Sequence, residues 1–392
     1  MQSRDIGVES LKKYDKVKPM KRGEIAAALD FILRRIDSCL DFFTDQFPCD
    51  SSEHNVYGPQ PNIGWTNGFW TGMLWLAYQY SGDERYRRVA ERQCKSFRER
   101  IEKQIELEHH DLGFLYTPSC VAGYMLTQNE EMKETAVMAA NKLITRYKEK
   151  GGFIQAWGAV DDPEAYRLII DCYMNLSLLY WASEITGERK YAAMAEQHAK
   201  TAAKTVIRED FSTFHTYYFD IDTGCPLRGV THQGYSNDSA WARGQAWGIY
   251  GLALSYKHTR DTFFLEKCVQ VTNYFLAHLP QDDVAYWDLI FTDGSGQERD
   301  SSAAAIAAGG LLEHIQYDNG PWRKTYENAA HAILRSLTER YTTVDIPESN
   351  GILKHATYAK PQGSGVDECN IWGDYYYMES LLRLYQDWKS WW

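Results

Sequence analysis

No apolar run in this chain is long and charge-free enough to span a membrane. Its opening stretch, MQSRDIGVESLKKYDKVK, lacks the apolar core of a secretory leader. Paired cysteines are missing too. The eight cysteines stand at 39, 49, 94, 120, 172, 225, 268 and 369 with no CxxC among them, which argues against a zinc cluster or a disulfide framework. There is no Walker sequence and no GxSxG elbow, and the Gly-Ser-Gly runs at 294–296 and 363–365 follow no expected strand. Positive charge is in deficit: 42 Lys and Arg against 53 Asp and Glu leave a net charge of −11, which excludes nucleic acid as the main partner. One well-placed arginine would still suffice for a small anion. The expectation is a cytoplasmic chain with reduced thiols, no membrane segment, no metal and no cofactor.

Aromatic residues, in contrast, are plentiful. The 13 Trp and 27 Tyr offer flat apolar faces with a polar edge, which suit a core and also suit sugar rings. A local pattern recurs five times: an apolar-rich segment is followed, 20 or 21 residues on, by an aromatic or Met opening a charged amphipathic stretch. The pairs are Trp65 and Tyr86, Asp111 and Met132, Asp171 and Tyr191, Arg243 and Phe264, and Ser301 and Trp322. A repeated helix–turn–helix unit implies stacked or ring-closed units sharing one core, with the first residue of each pair on one rim.

Charged amphipathic helices are expected near 21–45, 84–106, 130–149, 188–206, 261–279 and 320–339. Apolar or small-residue helices are expected near 67–80, 112–127, 169–185, 240–256, 300–315 and 371–388. Six outer and six inner helices alternating in sequence describe an all-α (α/α)6 barrel. No linker interrupts it, so the reading is one domain over 1–392 with 1–20 a short N-terminal extension. The irregular stretches 46–66, 150–168, 207–239, 280–299 and 340–370 each precede an inner helix and would crowd one rim, where binding sites are usually built. Phe214–Asp220 is expected to form a short hairpin there.

Several residues on that rim could carry chemistry. Asp171 follows Leu168-Ile-Ile, an apolar setting that raises a carboxyl pKa and suits a general acid, with Asn175 one helical turn on to orient it. The alternative is a helix-capping aspartate. Asp111, in His109-His110-Asp111, also starts an inner helix. Two carboxylates at matching helix ends fit acid–base chemistry on a glycosidic or ether linkage better than a metal site. Arg243 and Trp247, at i and i+4, put a guanidinium fork and a flat ring on one helix face. The alternative there is a structural salt bridge beside a core tryptophan.

Taken in order, WTNGFWTGMLW (65–75), HHDLGF (109–114), IIDCYMN (169–175), DSAWARGQAWGIYG (238–251) and DECNIWGDYYYMESL (367–381) resemble the unsaturated glucuronyl hydrolases of glycoside hydrolase family 88. The resemblance implies a metal-free hydrolase of the (α/α)6 fold. Such an enzyme would release a 4,5-unsaturated uronic acid from the non-reducing end of lyase-generated glycosaminoglycan-type oligosaccharides. It implies Asp171 as general acid/base and Asp111 as the second essential aspartate. Trp65, His110, His215, Gln233, Arg243 and Trp247 would hold the unsaturated sugar and position water, with Trp241 a further wall. The enzyme would act as a monomer or homodimer. Some members that favour sulphated disaccharides carry Ser-x-x-Ser-x-Lys in the last long loop. Here the run is Pro361-Gln-Gly-Ser364-Gly-Val366, with Ser364 kept, the lysine absent and Lys360 near enough to substitute. Unsaturated rhamnogalacturonyl hydrolases, other (α/α)6 glycosidases or epimerases, and a non-catalytic carbohydrate-binding scaffold are the alternative readings.

Overall fold

Two kinds of helix alternate along the chain because two kinds of sequence do. In Glu84–Glu102 the buried residues Tyr86, Ala90, Gln93, Phe97 and Ile101 recur every three or four positions, so one face is apolar and the other charged. Ser301–His314 is buried along its whole length, as small and aliphatic residues on every face allow.

The structure, a computed structural model describing residues 9–160 and 162–392, arranges the first kind as an outer layer. These are α1 (Arg22–Cys39), α3 (Glu84–Glu102), α5 (Glu130–Ile144), α7 (Arg189–Thr205), α9 (Thr262–Ala277) and α11 (Arg323–Arg340). The inner layer comprises α2 (Asn67–Ser81), α4, α6 (Cys172–Thr186), α8 (Ala242–Thr259), α10 (Ser301–His314) and α12 (Ile371–Tyr385). Helix α4 runs over Leu112–Tyr116 and Ala122–Thr127, joined by a π turn at Thr117–Val121 where Pro118 lacks an N–H. Each inner helix contacts the next, α12 returns to α2, and α1 packs on α12. This is the (α/α)6 barrel the alternation predicts.

Some boundaries differ from expectation. Helix α1 ends at Cys39, well before residue 45. Helix α6 starts at Cys172 because Arg167–Ile169 pairs as a strand with Thr216–Phe219, which pairs in turn with Pro226–Val230. The expected hairpin is therefore part of a three-stranded antiparallel sheet. Residues 1–8, on which part of the leader reading rests, lie outside the described residues. The rest of the expected extension packs against α11: Asn328 donates to the Tyr14 carbonyl at 2.9 Å, and the Met20 N–H to His331 Nδ1 at 3.2 Å.

At the end of the barrel opposite the long loops, four inner helices pass to their outer partners in two residues: Gly82-Asp83, Gln128-Asn129, Gly187-Glu188 and Arg260-Asp261. The first residue of each turn is left-handed, and Asp83, Asn129 and Asp261 cap the helix that follows. The sequence repeat records this unit. Tyr86, Met132, Tyr191 and Phe264 each occupy the third residue of an outer helix and are buried. The fifth pair departs from it. Residues 315–322 make a longer connection, Trp322 caps α11 half-buried, and Tyr326 takes the buried place.

Inner helices touch through glycine. A Cβ on Gly68 would lie 2.2 Å from the Phe114 carbonyl oxygen, on Gly113 2.3 Å from Asn175 Cα, and on Gly251 2.1 Å from Tyr173 Cβ. Gly310 against Tyr250, Gly373 against Ser302 and Gly72 against Tyr375 repeat the device at 2.9, 2.8 and 2.7 Å, which completes the circuit. Gly113→Ala should therefore destabilise the fold by about 1–3 kcal/mol, the usual cost of overpacking. Gly23→Ala, in α1 with nothing within 4 Å, should be neutral or stabilising by less than about 1 kcal/mol. Denaturant midpoints of the two variants check the contrast, and equal midpoints would remove the packing argument.

Candidate active site

Four of the five long loops, with the N-terminal ends of the inner helices, enclose a cavity of about 500 Å³. A larger surface groove between α3 and α5, about 660 Å³, is lined by Arg88, Glu91, Arg92 and Lys95 and has no buried carboxylate pair. All ten residues singled out from the sequence border the smaller cavity: Trp65, His110, Asp111, Asp171, His215, Gln233, Trp241, Arg243, Trp247 and Ser364. Ser301, first residue of α10, does not; it is fully buried. Trp157, His232, Tyr358 and Gln362 also line the cavity and were not anticipated.

Asp111 and Asp171 occupy the N-cap positions of α4 and α6, yet neither side chain makes a capping hydrogen bond. The capping alternative for Asp171 therefore fails. His110 Nε2 lies 3.3 Å from an oxygen of each carboxylate. Asn175 does not hold the Asp171 carboxylate as expected. Its amide nitrogen reaches the Asp171 backbone carbonyl and Asp111 Oδ1, both at 3.4 Å, and its oxygen accepts the Phe114 N–H at 2.8 Å. Asp171 Oδ1 is buried without a hydrogen-bond partner among the described residues.

These environments drive the two carboxyls apart. Burial, reinforced by the neighbouring Asp111 charge, raises the Asp171 carboxyl well above its ordinary range. Burial also resists ionisation of Asp111, but the imidazoles of His110 and His109 and the Asn175 amide outweigh it and hold that carboxyl low. Burial lowers His110 to about 4, so near pH 7 its ring is neutral. One nitrogen of His110 and oxygens of both aspartates lie within 4.8 Å of one another, a spacing a cation could use. A carboxyl whose pKa is raised is a poor metal ligand, so the unlike environments of the two aspartates suit an acid–carboxylate pair better than a cation site.

Arg243, the second residue of α8, is buried, and both its terminal nitrogens are engaged. Nη1 donates to Asp300 Oδ2 at 2.7 Å and to the Thr357 carbonyl at 2.6 Å; Nη2 donates to Gln233 Oε1 at 3.0 Å and to the Tyr358 carbonyl. The fork expected to grip a ligand carboxylate is thus spent within the protein. It offers the cavity a positive charge and a fixed Gln233 amide. Its face stacks on Trp241 at 4.5 Å and Trp372 at 5.1 Å, while Trp247 packs separately on Phe114. Asp300, the partner that holds it, was legible only as an acid before a run of small residues, a helix-cap signal. His215 is buried, its Nδ1 2.7 Å from Thr216 Oγ1. Ser364 is exposed at the mouth, and Lys360, partly exposed, pairs with Glu298.

A carboxyl held protonated in the folded state loses its proton on unfolding above the ordinary carboxyl range, about pH 3.9. Asp171 therefore weakens the fold progressively as pH rises from that range toward its raised pKa. Asp171→Asn should melt at a higher temperature than the native chain at pH 7, with the difference shrinking on acidification toward pH 4. A variant less stable than the native chain at pH 7 would contradict the raised pKa.

Known proteins resemble the whole chain. The family model for Glycosyl Hydrolase Family 88 matches residues 39–388. An unsaturated chondroitin disaccharide hydrolase of Streptococcus pneumoniae is 49% identical over 98% of both chains. An unsaturated glucuronyl hydrolase of Bacillus sp. is 43% identical over 89% of this chain and 94% of its own. The crystal structure of the unsaturated glucuronyl hydrolase from Streptococcus agalactiae superposes with a TM-score of 0.96 at 48% identity over 97% of each chain. A variant of that enzyme was solved in complex with dGlcA-GalNAc6S, with a TM-score of 0.88.

Proposed function

The chain belongs to glycoside hydrolase family 88, and on that premise we propose that it releases 4,5-unsaturated uronic acid from the non-reducing end of lyase-generated glycosaminoglycan-type oligosaccharides. The observation that carries the reading is the burial of the Asp171 carboxyl, one oxygen of it without a hydrogen bond, beside Asp111 in a cavity walled by tryptophan, a setting that raises the first carboxyl and leaves the second low. Such an acid suits a substrate that must first accept a proton.

The unsaturated sugar is a cyclic vinyl ether, and its C4 is a basic carbon. Asp171 gives its proton to C4, leaving oxocarbenium character between C5 and the ring oxygen. Water, giving its proton to the same carboxylate, adds at C5. The resulting hemiketal opens and the glycosidic bond is lost without attack at C1. His110, neutral and 3.3 Å from both carboxylates, can pass its N–H between them. Arg243 supplies charge, and Gln233 its free amide N–H groups, toward the substrate carboxylate; Trp65, Trp241 and Trp247 wall the ring and His215 faces it. Acid–base help of this kind contributes roughly 10²–10⁴-fold, and positioning supplies much of the rest.

At the cavity mouth, Ser364 offers a hydroxyl and Lys360 is held by Glu298, so the reading extends to unsulphated disaccharides as substrates at least as good as sulphated ones. Eight free cysteines, six of them buried, suit the cytoplasm, and among the described residues no helix is long and apolar enough to cross a membrane.

Asp171→Asn should lower kcat by more than about 10²-fold while the disaccharide still binds; an activity above a tenth of native would remove Asp171 from the role. With native enzyme in heavy water, one solvent deuteron should appear at C4 of the product. Turnover should survive a chelator. A protiated C4, with ¹⁸O from labelled water entering at C1, would instead establish direct attack on the anomeric carbon.

A further inference from the structure

One buried arginine bonds to the segments that lead into Trp65 and toward Asp111. Arg100, in the last turn of α3, is buried to 1% exposure. Its partners are backbone and amide oxygens. Nε donates to the Ile105 carbonyl at 3.1 Å, Nη1 to the Gly64 carbonyl at 2.8 Å and Asn62 Oδ1 at 3.1 Å, and Nη2 to the Ile63 and Glu106 carbonyls at 3.0 Å each. All five N–H groups are used, on the loop that ends at Trp65 and on the turn between α3 and α4. We propose that Arg100 is a positioning residue of the active site, holding Trp65 and Asp111 in their working places through the segments 62–64 and 105–106.

The path to Asp111 can be followed atom by atom. The Glu106 carbonyl that accepts from Arg100 also lies 3.0 Å from His109 Nε2. In the neutral ring His109 Nδ1 accepts the Asp111 N–H at 3.0 Å, which puts the proton on Nε2 toward that carbonyl, and the same Nδ1 lies 3.3 Å from Asp111 Oδ2. The guanidinium thus fixes the Glu106 carbonyl, the carbonyl fixes the His109 tautomer, and His109 fixes the start of α4. The turn needs such fixing. Gln104 and Glu106 are non-glycine residues at φ 54 and 45, a conformation that persists only where surroundings over-determine it. On the other side, Gly64 leads straight into Trp65, whose indole N–H reaches the Tyr358 hydroxyl at 3.0 Å across the cavity. A lysine cannot reproduce this arrangement, since its three donors radiate from a single nitrogen.

The inference rests on Asp171 being the acid. Part of what holds its proton is the Asp111 charge beside it. If Arg100 sets that charge in place, Arg100→Lys should lower kcat roughly ten- to a hundredfold. It should also move the alkaline limb of the kcat profile to lower pH, because an Asp111 drawn away retains the Asp171 proton less firmly. A purely structural arginine would lower activity only in proportion to the folded fraction, read by near-ultraviolet circular dichroism, and would leave the limb in place. His109→Ala cannot decide the matter, because His109 also lies 3.3 Å from the Asp111 carboxylate; Arg100→Gln, which keeps one amide donor and no charge, should shift the limb in the same direction and decides it if Arg100→Lys does not fold. A limb unmoved in the folded Arg100 variants overturns the proposal. Activity surviving in Asp171→Asn overturns the acid assignment instead, so the two failures are distinguishable.

Discussion

The barrel depends on the close approach of its inner helices at positions where a side chain, or even a Cβ, would not fit. Six neighbouring contacts close the ring, and each has a glycine where a Cβ would meet the facing helix. One of them reaches directly into the site. Gly113 sits two residues past Asp111 and meets Asn175, four residues past Asp171. That contact lets the Asn175 side chain accept the Phe114 N–H and reach the Asp111 carboxylate. The spacing of the two acids is therefore a property of ring packing before it is a property of the loops.

Asp111 and Asp171 hold equivalent places in a repeated unit, yet the protein makes them opposites. Helix N-termini favour negative charge at both positions. What separates them is local: His110 lies equally near both, but His109 and the Asn175 amide attend Asp111 alone, while Asp171 is buried with an oxygen that makes no hydrogen bond. Two carboxyls with divergent environments are the usual signature of divided labour in acid–base chemistry. Arg243 illustrates the same economy of parts. Because it is tied to Asp300 and to two backbone carbonyls, the charge it presents cannot swing away from the cavity wall.

The layered fold was readable because its cause is local. Period and composition mark which helices are amphipathic and which are buried all round, and the short inner-to-outer turns repeat in nearly the same words. The repeat misled where the connection lengthened, at Trp322, since a buried place is set by distance from the helix start and not by the residue count from the last unit. Asp171 stood out because an acid among Leu168, Ile169 and Ile170 is costly unless it serves a purpose. What sequence could not reveal was contact across the ring: that Asn175 attends Asp111, that Asp300 claims Arg243, that Lys360 is taken by Glu298, and that Trp157 and Tyr358 reach the same cavity from distant loops. These pairings join segments many tens of residues apart, and single-chain periodicity carries no record of them.

The pairing of α1 with α12 has a consequence for how the molecule is made. Five inner helices can each meet an outer partner close by in sequence, so most of the arc can assemble as the chain leaves the ribosome. Helix α1 packs on α12, some 330 residues away, and the exposed side of α2 waits for the same helix. Until Ile371–Tyr385 is synthesised, the arc has two open apolar edges, the kind of surface that invites association between nascent chains. Contacts of such sequence separation are also the slowest to find. The last inner helix is thus the clasp of the ring, and a ribosome that stalls before it releases a protein with its seam undone.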